Sequence, residues 1–398
     1  MELPVFRALL SNTGQEALRA AMALEPREID FLAHFSSLSL RFPTELARAA
    51  LEIAILRREA AGKFPFAEKM YFHREGLEQA TAYEVSAYRA ERYRPFNFCI
   101  DLGCSVGGDT LALAAHTPTL GVDNDELRLN MARANLEALG LGERASFLRA
   151  DLTVSLPFQP RPGMALFLDP ARRAGGRRIY SVNDYQPPLE LIQGWLEDFP
   201  ALGAKISPGV KLNEISHYEA ELEFISLHGE LKEAVLWFGP LMRARKRATL
   251  LPGKHSLSFE KEPDLPVAEP GAYLYEPDPA VLRAGMVRSL GQILGAAQLD
   301  PEIAYLTADT KKSTPFARVW TVVDWLPFGL KRLRSYLREH AVGHVVVKKR
   351  GSPLQPEELI HQLRLKGDEQ RVLFLTQLRG RHIVIVCLPP DHPLNNGR

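Results

Sequence analysis

The stretch Asp101-Leu102-Gly103-Cys104-Ser105-Val106-Gly107-Gly108-Asp109 decides the fold. It opens at the end of a strand-sized apolar run, Phe98-Cys99-Ile100-Asp101, and is followed by a helical run. The glycines between permit positive φ and let a ligand approach the backbone closely. A strand, a glycine turn and a helix in that order begin a βαβ unit, whose ligands gather at the carboxyl ends of the strands.

The pattern repeats outward. Leu120-Gly121-Val122-Asp123, Phe147-Leu148-Arg149-Ala150-Asp151 and Ala165-Leu166-Phe167-Leu168-Asp169 are each strand-sized and each end in an acid. Four acids are therefore expected along one edge of a parallel sheet. After the second run, Asp125 can cap a helix, Leu129, Ala132, Leu136 and Leu139 give it an apolar stripe, and Gly140 ends it. Glu221 to Phe238, interrupted at Gly229 and Glu230, and Lys246 to Leu251 read as the long strands that finish the sheet.

Upstream, Thr13 to about Ala60 is rich in Ala, Leu, Glu and Arg, with Pro26 and Pro43 reading as helix starts, which predicts a small helical bundle. A further helix is predicted from Glu75 to Arg92. Downstream, six prolines from Pro252 to Pro279 mark a linker, with a boundary near Pro270. Helical text from Pro279 to Leu294, strand-like text at Trp320 to Val323, a basic helix from Leu330 to His340, and strands at Val345 to Lys349, Val372 to Thr376 and Ile383 to Cys387 predict a separate α+β module.

Composition narrows the class. A chain of 398 residues exceeds the usual single-domain size, and 46% hydrophobic with 24% charged residues is ordinary for a folded soluble protein. The net charge of +1 conceals basic runs at Arg172, Arg173, Arg177 and Arg178, at Arg243 to Arg247, and at Lys348 to Arg350, so overall charge neither supports nor excludes nucleic acid. Cys99, Cys104 and Cys387 form neither a disulfide framework nor a paired metal spacing, and no metal is expected. No signal-peptide pattern opens the chain and no eighteen apolar residues run unbroken, so a soluble cytoplasmic protein with no membrane partner is expected. Nothing in the sequence specifies an oligomeric state.

As a nicotinamide-dinucleotide loop the glycine turn fails, because Ser105 stands where a second glycine is required, and the phosphate-cradling version lacks its lysine. S-adenosylmethionine makes different demands: it has no phosphate but carries a sulfonium, an amino acid, a ribose diol and an adenine. Asp101 and the loop at Gly103, Cys104, Ser105 and Gly107 would sit by its amino acid part. Asp123, followed by Asn124, would accept both ribose hydroxyls through charge-assisted hydrogen bonds. Asp151, followed by Leu152, would receive the adenine amine. Cys104 reads as a small loop residue rather than a nucleophile.

This arrangement resembles the class I S-adenosylmethionine-dependent methyltransferase family over about residues 70 to 253. The resemblance implies an enzyme with an α/β, Rossmann-like sheet of seven strands. In that family the fourth strand often ends in Asn or Asp, two prolines and an aromatic that hold an amine for methylation. Here the text is Asp169-Pro170-Ala171-Arg172-Arg173, without the second proline and the aromatic. Asp169, Pro170 and Arg172 are the expected catalytic residues, with Asp169 either accepting a proton or positioning the acceptor. Arg173 and Arg177 would hold substrate phosphates or form a solvated basic loop.

Four further segments, Phe72 to Thr81, Leu168 to Arg173, Tyr273 to Pro279 and Val346 to Gly351, are together similar to a bacterial group of these methyltransferases that ends in a THUMP-like domain. The similarity implies a helical region at 1–69, a methyltransferase domain at 70–269, a small ferredoxin-like region at 270–325 and a THUMP-like domain at 326–398. The group is distantly similar to trimethylguanosine synthases, which modify guanine amines in RNA, and true THUMP domains bind tRNA. An RNA base nitrogen is thereby implied as acceptor, with tRNA or rRNA as partner. Lys331, Arg332, Arg334 and Arg338, then Lys348, Lys349 and Arg350, supply cations for phosphates, and Phe328 and Tyr336 could stack on bases. Two alternatives stay open: a small-molecule or protein methyltransferase, and a non-catalytic RNA-binding protein that retains the fold. Gln79, Ala80 and Thr81 are a further candidate lining of the cofactor pocket.

Overall fold

The computed structural model describes residues 1–171, 173–174, 177–178 and 181–390, of which 173–174 and 177–178 are described as backbone alone. The chain divides into two compact units, Met1–Leu222 with Glu233–Arg243, and Glu223–Lys232 with Ala244–Arg398.

The first unit begins with helices α1 (Leu3–Leu9), α2 (Asn12–Ala23), α3 (Phe31–Ser39) and α4 (Thr44–Ala60). Pro43 stands at the N-cap of α4, where its fixed φ suits helix entry. The bundle shares one core with the sheet region: Phe6, Leu18, Leu51, Leu56 and Phe72 cluster with Val106 of the glycine turn and Met131 of the helix after the second strand. Burial of these apolar side chains anchors the turn from behind.

The helix predicted from Glu75 to Arg92 is two helices, α5 (Arg74–Gln79) and α6 (Tyr83–Ala90). Lys63 causes the break. Its Nζ donates to the carbonyls of Leu77 at 2.7 Å, Glu78 at 3.1 Å and Ala80 at 3.1 Å, and its own carbonyl accepts from the Tyr83 amide at 2.8 Å. Carbonyls at a helix end need such partners, and here a distant ammonium supplies them.

Strands β1 (Phe98–Leu102), β2 (Thr119–Asp123), β3 (Ala145–Arg149) and β4 (Met164–Leu168) carry the four acids at or beyond their ends, with helices α7 (Gly108–Ala114) and α8 (Glu126–Ala138) after the first two. Asp125 caps α8 by accepting from the Arg128 amide at 3.0 Å. The two-residue strands β5 (Arg173–Ala174) and β6 (Arg177–Arg178) pair with each other. Then follow β7 (Leu202–Ile206), β8 (Glu221–Leu227), β9 (Glu230–Trp237), β10 (Lys246–Leu251) and β11 (His255–Leu257).

The main sheet runs β11-β10-β8-β9-β7-β4-β1-β2-β3. The strands β3, β2, β1, β4 and β7 are parallel, and β9 is antiparallel to β7. This is the Rossmann-like arrangement expected, with nine strands in place of seven. His228 (φ 53°) and Gly229 (φ 78°) make a two-residue left-handed turn between β8 and β9, the form that suits sheet twist. The order reverses between β1 and β4, so a crevice opens at their carboxyl ends.

Two features depart from the sequence reading. β3 stops at Arg149, two residues before Asp151, because its partner β2 ends opposite it at Asp123. β7 is an unforeseen strand, since Gly203 and Lys205 break its apolar run, yet every residue in it is buried.

In the second unit a sheet of β12 (Tyr273–Pro277), β13 (Ala297–Asp300), β14 (Ile303–Ala308), β15 (Ala317–Pro327), β16 (Val342–Lys349), β17 (Glu369–Leu378) and β18 (Arg381–Cys387) runs β13-β14-β12-β15-β18-β17-β16. The expected boundary at 325/326 falls inside β15. Side chains alternate along β17: Phe374 joins a core with Trp320 and Tyr305, whereas Leu373 and Leu375 pack with Leu333 and Leu337 of the basic helix Leu330–Glu339. The helix predicted from Pro279 to Leu294 is divided into Pro279–Ala284 and Val287–Leu294, because Gly285 takes φ 71° and closes the first. Among the described residues no helix is long and apolar enough to cross a membrane.

Candidate active site

The turn after β1 is shaped by its glycines. Gly103 has φ 83°, and a Cβ there would lie 2.8 Å from the carbonyl oxygen of Asp169. Gly107 has φ 84° and begins α7, and a Cβ on it would meet the Ala132 methyl at 3.0 Å. The loop therefore lies directly against both the end of β4 and helix α8. Ser105 also takes a left-handed conformation, φ 49°, which aims its amide at Asp123.

Asp123 is buried, with 7% exposure. Its Oδ2 accepts from the Ser105 amide and its Oδ1 from the Asp125 amide, both at 2.9 Å. Two backbone donors fix the carboxylate and leave further lone pairs for a ligand. Asp123 and Asn124 line a cleft of about 970 Å³ with Gly103, Cys104 and Ser105 from the loop and with Asp151 and Leu152 beyond β3. Asp151 is exposed, and its Oδ1 accepts from the amide of Thr153 at 2.9 Å and from its hydroxyl at 2.6 Å.

Among the expected cofactor residues, Asp101 and Gly107 are not in the lining of the cleft. Asp101 is wholly buried because α7 closes over it: Oδ2 accepts from the Thr110 hydroxyl at 2.5 Å, and Oδ1 has no hydrogen-bond partner among the described residues. Burial, reinforced by the neighbouring Asp109, pushes this carboxyl well above the ordinary aspartate value. Gly107 serves the packing of α7 on α8.

At the other end of the cleft stand Asp169, Pro170 and Ala171. Ala171 exchanges backbone hydrogen bonds with Gln186 at 2.8 and 3.1 Å, which draws Tyr185, Gln186 and Pro187 into the opposite lip. Asp169 Oδ2 is 2.6 Å from Lys205 Nζ, which also donates to Thr81 Oγ1 at 2.6 Å. The Lys205 side chain is 3% exposed and that of Asp169 is 21% exposed. Thr81 and Ala80, on the break between α5 and α6, share the cleft with Gln79.

A second buried cation stands behind this pair. Arg89 lies 2.6 Å from Asp109 Oδ1 and 2.6 Å from Glu233 Oε1, the latter contact without hydrogen-bond alignment, and its guanidinium is 4.4 Å from the centre of the Phe167 ring. Burial opposes its charge, but Asp109 and Glu233 outweigh that and raise its pKa. Burial raises the Glu233 carboxyl in turn. Lys205, Arg89 and Glu233 were not singled out from the sequence. The signal for Lys205 and Glu233 is a charge inside an otherwise apolar run, Leu202-Gly203-Ala204-Lys205-Ile206 and Glu233-Ala234-Val235-Leu236-Trp237.

Arg172 lies outside the described residues, and Arg173 and Arg177 are placed as backbone in the β5–β6 pair. Lys348, Lys349 and Arg350 belong to the second unit and are bonded within it. Lys348 Nζ lies 2.6 Å from Glu276 and 4.9 Å from the Trp320 ring centre; Lys349 donates to Gln355 at 2.8 Å; Arg350 donates to the Ala304 carbonyl at 2.5 Å and lies over Tyr305.

The donor set fits S-adenosylmethionine. Asp123, Asp125, Asp151, Asp169 and Glu75 line the cleft, and Arg128 is the one cation among its described residues, itself paired with Glu75 at 3.2 Å. An acidic cleft attracts a sulfonium and an ammonium and repels phosphates. Among the described residues no group of three or more acids, histidines or cysteines is placed to hold a metal.

Comparison with known proteins agrees. An uncharacterized S-adenosylmethionine-dependent methyltransferase of Mycobacterium tuberculosis, present in two strains, is 34% identical over 354 residues, covering 85% of this chain and 96% of its own length. Residues 317–389 match the family model for a THUMP domain-like module, and residues 2–60 match a domain of unknown function. The crystal structure of a proposed methyltransferase from Porphyromonas gingivalis W83 has a TM-score of 0.72 at 21% identity, covering 92% of this chain and all of that one, and so shares the fold. Trimethylguanosine synthase of Schizosaccharomyces pombe is 30% identical over 95 residues, covering 22% of this chain and 40% of its own. The fold and the site thus define an S-adenosylmethionine-dependent methyltransferase. Within that class, the chain belongs to the bacterial family with a C-terminal THUMP-like domain.

Proposed function

We propose that this enzyme methylates a nitrogen of an RNA base, tRNA or rRNA, with Asp169 receiving the acceptor. The observation that carries the reading is the position of Asp169: its side chain opens into the same cleft as Gly103, Ser105 and Asp123. Bound there, the cofactor supplies an electrophilic methyl on its sulfonium. Asp123 would grip the ribose, and the Asp151–Leu152 segment would flank the adenine. Asp169 and the backbone at Pro170 would accept hydrogen bonds from an exocyclic amine, directing its lone pair at the methyl. In such a transfer much of the rate comes from alignment. The THUMP-like match and the partial similarity to trimethylguanosine synthase support RNA as the source of that amine.

One observation favours a second reading, a small-molecule or protein acceptor. Lys348 and Arg350 are bonded to Glu276 and to a backbone carbonyl within the fold, which diminishes their availability for phosphates.

The test supplies methyl-labelled S-adenosylmethionine with RNA, protein and metabolite extracts from cells lacking the gene. Label should enter RNA. Asp169→Ala should lower the rate by about 100-fold or more while cofactor affinity changes less than threefold. Label confined to protein or metabolites contradicts the RNA reading, and full activity in Asp169→Ala contradicts the role of Asp169.

A further inference from the structure

We propose that Lys205 is a positioning residue for methyl transfer: it holds Asp169 by one carboxylate oxygen, leaves the other to the acceptor, and ties that acid to the cofactor-side segment at Thr81. The proposal rests on the reading of Asp169 as the acceptor-side acid.

A lysine in the middle of a strand buried at every position is costly unless paired, because its ammonium loses water. Packing gives no reason for it, since an aliphatic side chain would fill the same place in the sheet. What the ammonium gains is two contacts of 2.6 Å, to Asp169 Oδ2 on the β4 loop and to Thr81 Oγ1 on the break between α5 and α6. Those segments are far apart in sequence, and both line one cleft. Arg89, the other buried cation near Asp169, is engaged by Asp109 and Glu233. Among the described residues Lys205 is thus the cation in contact with the acceptor-side acid. At 3% exposure it is shielded from any acceptor, so it acts through Asp169 and Thr81.

The rest of Asp169's surroundings makes this contact matter. Arg89, the neighbouring buried cation, is held by Asp109 and Glu233. Without Lys205, the Asp169 side chain would lose the directional bond that fixes it among the described residues and would be free to turn away from an acceptor.

The test uses the full-length protein and whichever of the RNA, protein or metabolite extracts the parent labels. Lys205→Met should lower kcat by about 100-fold, with cofactor affinity within threefold of the parent and a native circular dichroism spectrum. Lys205→Arg, which restores a cation, should recover at least a tenth of the lost rate. Combined with Asp169→Asn, Lys205→Met should add less than threefold to the loss, as expected of two residues acting as one unit. Parent-like kcat in Lys205→Met, or losses that multiply in the double variant, overturns the proposal. Parent-like kcat in Asp169→Asn instead overturns the reading of Asp169. A readout independent of any acceptor is the crystal structure of Lys205→Met with S-adenosylhomocysteine, in which the Asp169 side chain should leave its position; an unmoved Asp169 also overturns the proposal.

Discussion

Asp123 is a carboxylate prepared before its ligand arrives. The Ser105 and Asp125 amides hold it at 2.9 Å each, so no side-chain reorganisation is needed when two hydroxyls come to it. Charge-assisted hydrogen bonds contribute about 1.5–3 kcal/mol each, so loss of the pair in Asp123→Ala should weaken S-adenosylmethionine binding by about 100-fold or more. Calorimetric titration measures this, and unchanged affinity would refute the ribose assignment. His73 makes a different residue-scale case. Its Nδ1 accepts from the Gly76 amide at 3.1 Å and caps α5, and its Nε2 is buried with no hydrogen-bond partner among the described residues. Burial, aided by Arg128, lowers its pKa from the ordinary 6.5. The fold therefore binds the neutral ring, and the stability gained above about pH 6.5 is lost as pH falls through the lowered value. Between pH 7 and 5 the thermal midpoint should fall more in the parent than in His73→Asn, which caps without titrating. Parallel curves would show that His73 is not the titrating cap.

Elements are where the sequence was only partly legible. The glycine turn, the capped helix α8 and the strands β1, β2 and β4 follow from local rules, so residues 98–140 and 164–168 could be read directly. The break between α5 and α6 could not, because residues 75–92 have continuous helical text and the partner that interrupts them is Lys63. Removing that ammonium in Lys63→Met should cost on the order of 1 kcal/mol, as carbonyls lose their donor, and should weaken cofactor binding through the loosened 79–81 segment. Urea denaturation and cofactor titration check both; loss of neither would mean that the break is set by the chain alone. β7 was invisible for a related reason: Lys205 reads as a strand-breaking charge until Asp169 is seen beside it. The burial of Asp101 was not legible because it depends on α7 folding over it through Thr110, a contact that spacing does not reveal.

At the scale of the whole molecule, the chain has two compact units. The first holds the entire cleft, from Glu75 to Pro188, so cofactor binding and methyl transfer draw on one unit's residues. The second carries the THUMP-like module, whose basic helix places Leu333 and Leu337 in the core while Lys331 and Arg332 are exposed. The most direct measurement is nucleoside mass spectrometry of RNA from cells lacking the gene, before and after incubation with the purified protein and S-adenosylmethionine. The account predicts that one base-methylated nucleoside, absent at the start, appears with the parent protein and fails to appear with Asp169→Ala. An RNA profile that stays unchanged while the same protein transfers methyl groups to a protein or metabolite would contradict it.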